Sequence, residues 1–197
     1  MFNWLPFLTY ATVTVITPGP NNIMSMTNGS RKGFKRALPF NLGIFVGFAT
    51  VMIFCTLFCS LLSAWIPRLK TPMLIVGASY LLYLAWTTFR SSYEVEENSS
   101  KDGFTAGLLL QFVNAKIYIY GIMSMEAYVL PVYSGQTVKL LGFALLLAAL
   151  GGACNLLWSA FGSVFKILFS KHAKVVNTVM SLLLVYCAAS LFLNLEE

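Results

Sequence analysis

The sequence predicts an all-α polytopic membrane protein, with six transmembrane helices in two inverted three-helix repeats. Three observations carry that prediction. Of 197 residues, 58% are hydrophobic and only 10% are charged, whereas a soluble domain carries about 25% charged and about 45–50% apolar residues. The apolar residues gather into six stretches, each long enough for a hydrocarbon core that needs ~20 of them. The basic residues also alternate in density from one connection to the next. A mean hydropathy of +0.76 argues against a secreted disulfide scaffold, a nucleic-acid-binding domain or a cytosolic enzyme. The net charge of +6 reflects loops placed beside a bilayer rather than a polyanionic partner.

The predicted spans are Trp4–Met26, Pro39–Trp65, Thr71–Phe89, Phe104–Met125, Lys139–Phe165 and Val175–Leu195. The first has no basic residue before it and no small-residue cleavage site, so it reads as a permanent span rather than a signal peptide. Six consecutive apolar segments argue against a soluble helical bundle. Arg31, Lys32, Lys35 and Arg36 lie in the first connection, Arg90 and Lys101 in the third, and Lys166, Lys171 and Lys174 in the fifth. Only Arg68, Lys70 and Lys139 lie in or beside the even connections. The positive-inside rule therefore places the odd connections in the cytoplasm and both termini outside it. The polar run 91–103 reads as a cytoplasmic linker joining halves 1–90 and 104–197 of one transmembrane domain.

The halves echo one another weakly. Thr17-Pro18-Gly19-Pro20-Asn21-Asn22 in span one faces Gln111-Phe112-Val113-Asn114-Ala115-Lys116 in span four. Spans two and five each hold one Asn beside glycines, Asn41 with Gly43 and Gly47, and Asn155 with Gly151 and Gly152. An odd number of spans per half inverts the repeat in the membrane, a plan common among transporters.

Two features are costly in a bilayer. Pro18 and Pro20 have no N–H and crowd the carbonyls four residues back, those of Thr14 and Ile16. A backbone freed in this way is tolerated only against protein or a water-filled cavity. A helix that breaks here and restarts near Asn21 offers loose carbonyls to an ammonium and a new N-terminus to a carboxylate, the two charged groups of an amino acid. The alternative is a packing kink with Asn21 and Asn22 bonding neighbouring helices. Lys116 is the second feature, because a cation at the centre of a span costs ~2.5–3.5 kcal/mol on insertion scales. No Asp or Glu lies deep in a span, so its candidate partners are freed carbonyls, asparagine oxygens or a substrate carboxylate. Capping the broken first helix is the structural alternative. A titrating role in a proton-coupled cycle is a further expectation. In an unbroken helix Asn114 and Lys116 point ~200° apart, while Gln111, Asn114 and Tyr118 share a face. Serving one cavity with both would need a local distortion for which Ala115 gives no reason.

Cys55, Cys59, Cys154 and Cys187 all lie in apolar stretches and read as core residues, so neither a metal nor another cofactor is expected. His172 reads as a solvated loop residue, and no hydrolase, zincin or phosphate-loop motif is present.

At Thr17-Pro18-Gly19-Pro20-Asn21-Asn22 the chain resembles the lysine-exporter (LysE/RhtB) family of bacterial amino-acid exporters. The resemblance continues through Gly29-Ser30-Arg31-Lys32-Gly33-Phe34, Gly77-Ala78-Ser79-Tyr80-Leu81 and Phe112-Val113-Asn114-Ala115-Lys116, where Ala115 replaces the family's proline. Leu110–Ile117 with Tyr120-Gly121 is most similar to the branch that exports cysteine and O-acetylserine. The resemblance implies six spans in two inverted halves, an inner-membrane location and efflux driven by the proton-motive force. The expected substrate contacts are Thr14, Pro18, Gly19, Pro20, Asn21, Asn22, Asn41, Gln111, Asn114, Lys116 and Asn155. A small amino acid and membrane lipid are the expected partners, nucleic acid is not one, and a homodimer is left open. The alternatives from other classes are an intramembrane thiol–disulfide reductant carrier and a channel or scaffold.

Overall fold

The computed structural model describes residues 2–58, 75–76, 78–90, 103–165 and 172–193. All regular secondary structure among them is helical. The order is α1 (Trp4–Ile16), α2 (Pro20–Lys32), α3 (Phe34–Leu57), α4 (78–90), α5 (Phe104–Val113) and α6 (Ala115–Ser124). A π-helical turn, Met125–Val129, and the short α7 (Leu130–Tyr133) extend α6; α8 (Thr137–Val164) and α9 (Ala173–Leu193) follow. Of the predicted linker 91–103 only Gly103 is described, and the ends of several predicted spans lie outside the described residues.

Helices α3 and α8 are each long and apolar enough to cross a membrane, and the pair Phe104–Val113 and Ala115–Tyr133 passes that test as one bent span. Large apolar side chains on these helices stay uncovered: Leu42 of α3 is 56% exposed, and Leu157 and Val138 of α8 are 71% and 85% exposed. Apolar surface on that scale requires hydrocarbon as its solvent. This is a multi-pass membrane protein.

Helix α3 starts at Phe34, five residues before the predicted Pro39, because the apolar stretch marks the membrane interior whereas the helix continues through Lys35 and Arg36. Pro39 sits inside it and leaves the Lys35 carbonyl without its helical donor. The π turn has a comparable cause: Pro131 cannot donate to the Ala127 carbonyl, and one extra residue per turn absorbs the mismatch.

The packed interior divides into two clusters. One joins Phe7 and Ala11 of α1 to the C-terminal part of α3, to α6 and to the first half of α8. The other joins Ile23 and Met26 of α2 to the first half of α3, to α4, to Leu110 of α5 and to α9. Between them lie the two helix breaks. Helix α2 is the unusual member of the bundle. Its sequence is polar, yet every residue from Pro20 to Ser30 is buried. It reaches that position by backbone contact with α8, where a Cβ at Gly29 would strike the Ser159 carbonyl and one at Gly162 would strike the Met26 carbonyl.

Overpacking a tight contact costs ~1–3 kcal/mol, so Gly29→Ala is expected to lower the melting temperature of the purified protein. Gly142→Ala, where nothing lies within 4 Å, is expected to leave it unchanged. Thermal unfolding in detergent checks both.

Candidate functional site

The first break is a short extended segment. Helix α1 stops at Ile16, Thr17 caps it with its N–H on the Val13 carbonyl, and Gly19 is extended at φ −157°. Pro20 is the first residue of α2, where its missing N–H and fixed φ suit a helix start. Neither proline is thus forced against a helical carbonyl. The freed groups of α1 are met from within the protein. Asn22 donates its amide to the carbonyls of Val15 at 2.8 Å and Thr17 at 3.0 Å, with Ile16 at 3.5 Å. The Cys154 thiol approaches the Val15 carbonyl at 3.2 Å. The Thr17 hydroxyl donates to the Thr14 carbonyl at 2.7 Å.

The second break is at Asn114, and the two helices flanking it bend by 64°. Asparagine supplies the reason that Ala115 lacks. Its backbone leaves the helical region at φ −88°, ψ 90°, and its side-chain oxygen accepts the Lys116 N–H at 3.2 Å as an N-cap for α6. The bend removes the ~200° separation expected of a straight helix, and Asn114 and Lys116 line the same pocket.

An amide cluster ties the breaks together. Asn21 donates to Gln111 Oε1 at 2.7 Å, and Gln111 donates back to Asn21 Oδ1 at 3.1 Å and to the Gly107 carbonyl at 2.9 Å. Asn114 adds a donor to Asn21 Oδ1 at 3.1 Å. The Lys116 ammonium spans the remaining gap, with the Thr17 carbonyl and hydroxyl oxygen each at 2.9 Å. Gly19 leaves room for this contact, since a Cβ there would sit 3.1 Å from Lys116 Nζ.

The two breaks thus border a small, partly open pocket. Of the predicted residues, Thr14, Gly19, Pro20, Asn21, Asn22, Asn114, Lys116 and Asn155 line it. Gln111 lies behind Asn21, and Pro18 is exposed on the outside of the break. Asn41 lies apart from the pocket: its amide bonds the Ala37 carbonyl and the Ser159 hydroxyl. The sequence reasoning missed Val15, Phe48, Ile117, Tyr120 and Gly151 in the wall. Tyr120 had a signal, being four residues after Lys116 and so on the same helical face; Phe48 had none. The Tyr120 hydroxyl and Asn155 Oδ1 are both buried and lack a hydrogen-bond partner. Among the described residues no carboxylate lines the pocket, and no cluster of His, Cys, Asp or Glu is arranged to hold a metal ion.

The family model for LysE type translocators matches residues 12–195. The chain belongs to this family. Among its relatives is a cysteine/O-acetylserine efflux protein of Klebsiella pneumoniae, 39% identical over 183 residues that cover 92% of this chain and 93% of the relative. Proteins of the same name from Salmonella choleraesuis and Escherichia coli K12 are 36% and 35% identical, each alignment covering 94% of this chain and 95% of the relative. No solved structure matches the chain. As a LysE family member the protein is a translocator and not an enzyme.

Removing the Asn22 amide leaves the Val15 carbonyl to the Cys154 thiol alone and the Thr17 carbonyl to Lys116 alone. A lost hydrogen bond costs ~0.5–1.5 kcal/mol net, and Asn22 makes two short ones, so Asn22→Ala is expected to lower the melting temperature by a few degrees. Thr50→Ala, which removes an exposed hydroxyl bonded within its own helix, is expected to have little effect in the same thermal scan.

Proposed function

We propose that this chain exports small neutral amino acids, cysteine or O-acetylserine foremost, across the inner membrane by proton antiport. In this reading six spans form two inverted halves, and the basic connections face the cytoplasm with both termini outside. The observation that carries the substrate class is one pocket holding a lone ammonium beside two interrupted helices. The substrate carboxylate meets Lys116 and the free backbone N–H groups of Asn21 and Asn22 at the start of α2. Its ammonium meets the carbonyl end of α1, where Ile16 has only a 3.5 Å contact. The substrate side chain lies toward Phe48 and Ile117, within reach of the Tyr120 hydroxyl and Asn155 Oδ1.

The bond between Lys116 and Thr17 gives the site two states. The lysine stands where a substrate ammonium would, against the Thr17 carbonyl. An arriving carboxylate draws it away and exposes that carbonyl to the substrate's own ammonium. Capping and binding are then successive roles of one residue. The efflux activity in the names of the relatives supports the substrate choice, and the absence of a carboxylate from the pocket wall supports a zwitterion over a cationic amino acid.

Counterflow of labelled O-acetylserine into proteoliposomes tests the reading. Losing a charge-assisted hydrogen bond costs ~1.5–3 kcal/mol, about ten- to a hundredfold in affinity. Lys116→Met is accordingly expected to cripple exchange while the protein still inserts. Lys116→Arg is expected to fail as well, because the larger planar guanidinium does not fit the same seat. Unchanged exchange in Lys116→Met would refute the assignment. A variant with Cys55, Cys59, Cys154 and Cys187 all changed to Ala is expected to retain exchange. Its loss would instead favour a thiol relay.

A further inference from the structure

Helix α2 contains more polarity than the pocket uses. Asn21, Ser25 and Asn28 lie within ~60° of one another around the helix and form a stripe leading from the pocket toward Arg31 and Lys32. Ser25 is 0% exposed, Asn28 2% and Asn41 on the facing helix 3%. The Ser25 hydroxyl, the Asn28 amide nitrogen and Asn41 Oδ1 all lack a hydrogen-bond partner. Ser159 of α8 stands where these helices meet, its backbone against Gly29 and its hydroxyl 3.2 Å from the Asn41 amide. Unpartnered polar atoms this deep in a bilayer protein mark a place that water or a polar ligand occupies in another state.

We infer that Ser25, Asn28, Asn41 and Ser159 form a second, transit site for the zwitterionic amino acid, between the central pocket and the basic end of the bundle. The chemistry matches that ligand. The Asn28 amide and the Ser25 hydroxyl donate to a carboxylate, and Asn41 Oδ1 accepts from an ammonium. The site is shut in this structure because α2 and α8 touch backbone to backbone at Gly29 and Gly162. Parting these two helices opens the stripe to the side that bears Arg31 and Lys32, and the groups now unpartnered become a hydrated lining. A helix that is polar and buried on every side fits this role better than a packing role, for which apolar side chains would serve without orphaned donors.

The inference rests on the exporter reading, and thiol labelling separates the two. Single cysteines replace Ser25, Asn28 or, as a control in the apolar cluster, Met24, in a chain lacking its four native cysteines. A membrane-impermeant cationic methanethiosulfonate is applied to inside-out and to right-side-out vesicles. Ser25→Cys and Asn28→Cys are expected to react from the basic face, to react faster than Met24→Cys, and to be protected by O-acetylserine. Reaction no faster than the control, or only from the opposite face, in a parent that still exchanges amino acids would overturn the transit site. A parent that exchanges nothing counts against the exporter reading, while labelling without substrate still reports an aqueous route. Asn28→Leu gives a second measurement that does not depend on labelling. It is expected to raise the melting temperature by removing an orphaned donor, yet to slow counterflow at least tenfold. Unchanged counterflow in Asn28→Leu would also overturn the inference.

Discussion

Interrupting a helix inside a bilayer leaves backbone groups that water cannot reach, and the protein itself must satisfy them. The rest of this structure depends on how that is done. At the first break Asn22 serves three carbonyls, the Cys154 thiol serves one of these, and Lys116 serves Thr17. At the second break Asn114 caps its own helix and bonds Asn21 across the gap. Satisfying one interruption from the other brings spans one and four together, and that union makes the pocket. Donors and acceptors that suit broken helix ends also suit an ammonium and a carboxylate.

The division of the interior into two apolar clusters follows from this arrangement. One cluster packs α1 and α6 and the other packs α2 and α5, so the halves of each broken span belong to different cores. The polar side chains of the two breaks lie in a layer between them. On the α2 side that layer continues along the helix as buried hydroxyls and amides. The close approaches at Gly29 and Gly162 bring α2 and α8 backbone to backbone.

How much of this was legible in the sequence depended on the kind of signal. The first break could be read because proline's missing N–H and crowded ring are local facts that no tertiary context removes. The second could not, because an asparagine caps a helix only where the backbone already turns, and nothing local distinguishes Asn114 from an asparagine within a helix. That left the opposed directions of Asn114 and Lys116 unresolved until the 64° bend was seen. Asn41 and Asn155 looked alike, each an asparagine beside glycines, yet only Asn155 reaches the pocket. The difference is one of depth along the bundle, which composition does not encode. The predicted first span ends at Met26 and the basic residues beyond it read as a connection, yet α2 runs on to Lys32 and stays buried through Ser30. Only the packing shows it buried on all sides.

The exchange of Lys116 between Thr17 and a substrate carboxylate is tested most directly by ligand-induced stabilisation of purified protein. At a hundredfold excess over Kd, a ligand that binds only the folded state adds about 2.7 kcal/mol, or roughly 5–10 °C for a chain of this size. O-Acetylserine is expected to produce such a shift in the native protein and none in Lys116→Met, with both proteins folded at the start of the scan. An equal shift in the two would mean that the lysine only caps the broken helix, and that the substrate carboxylate is held elsewhere.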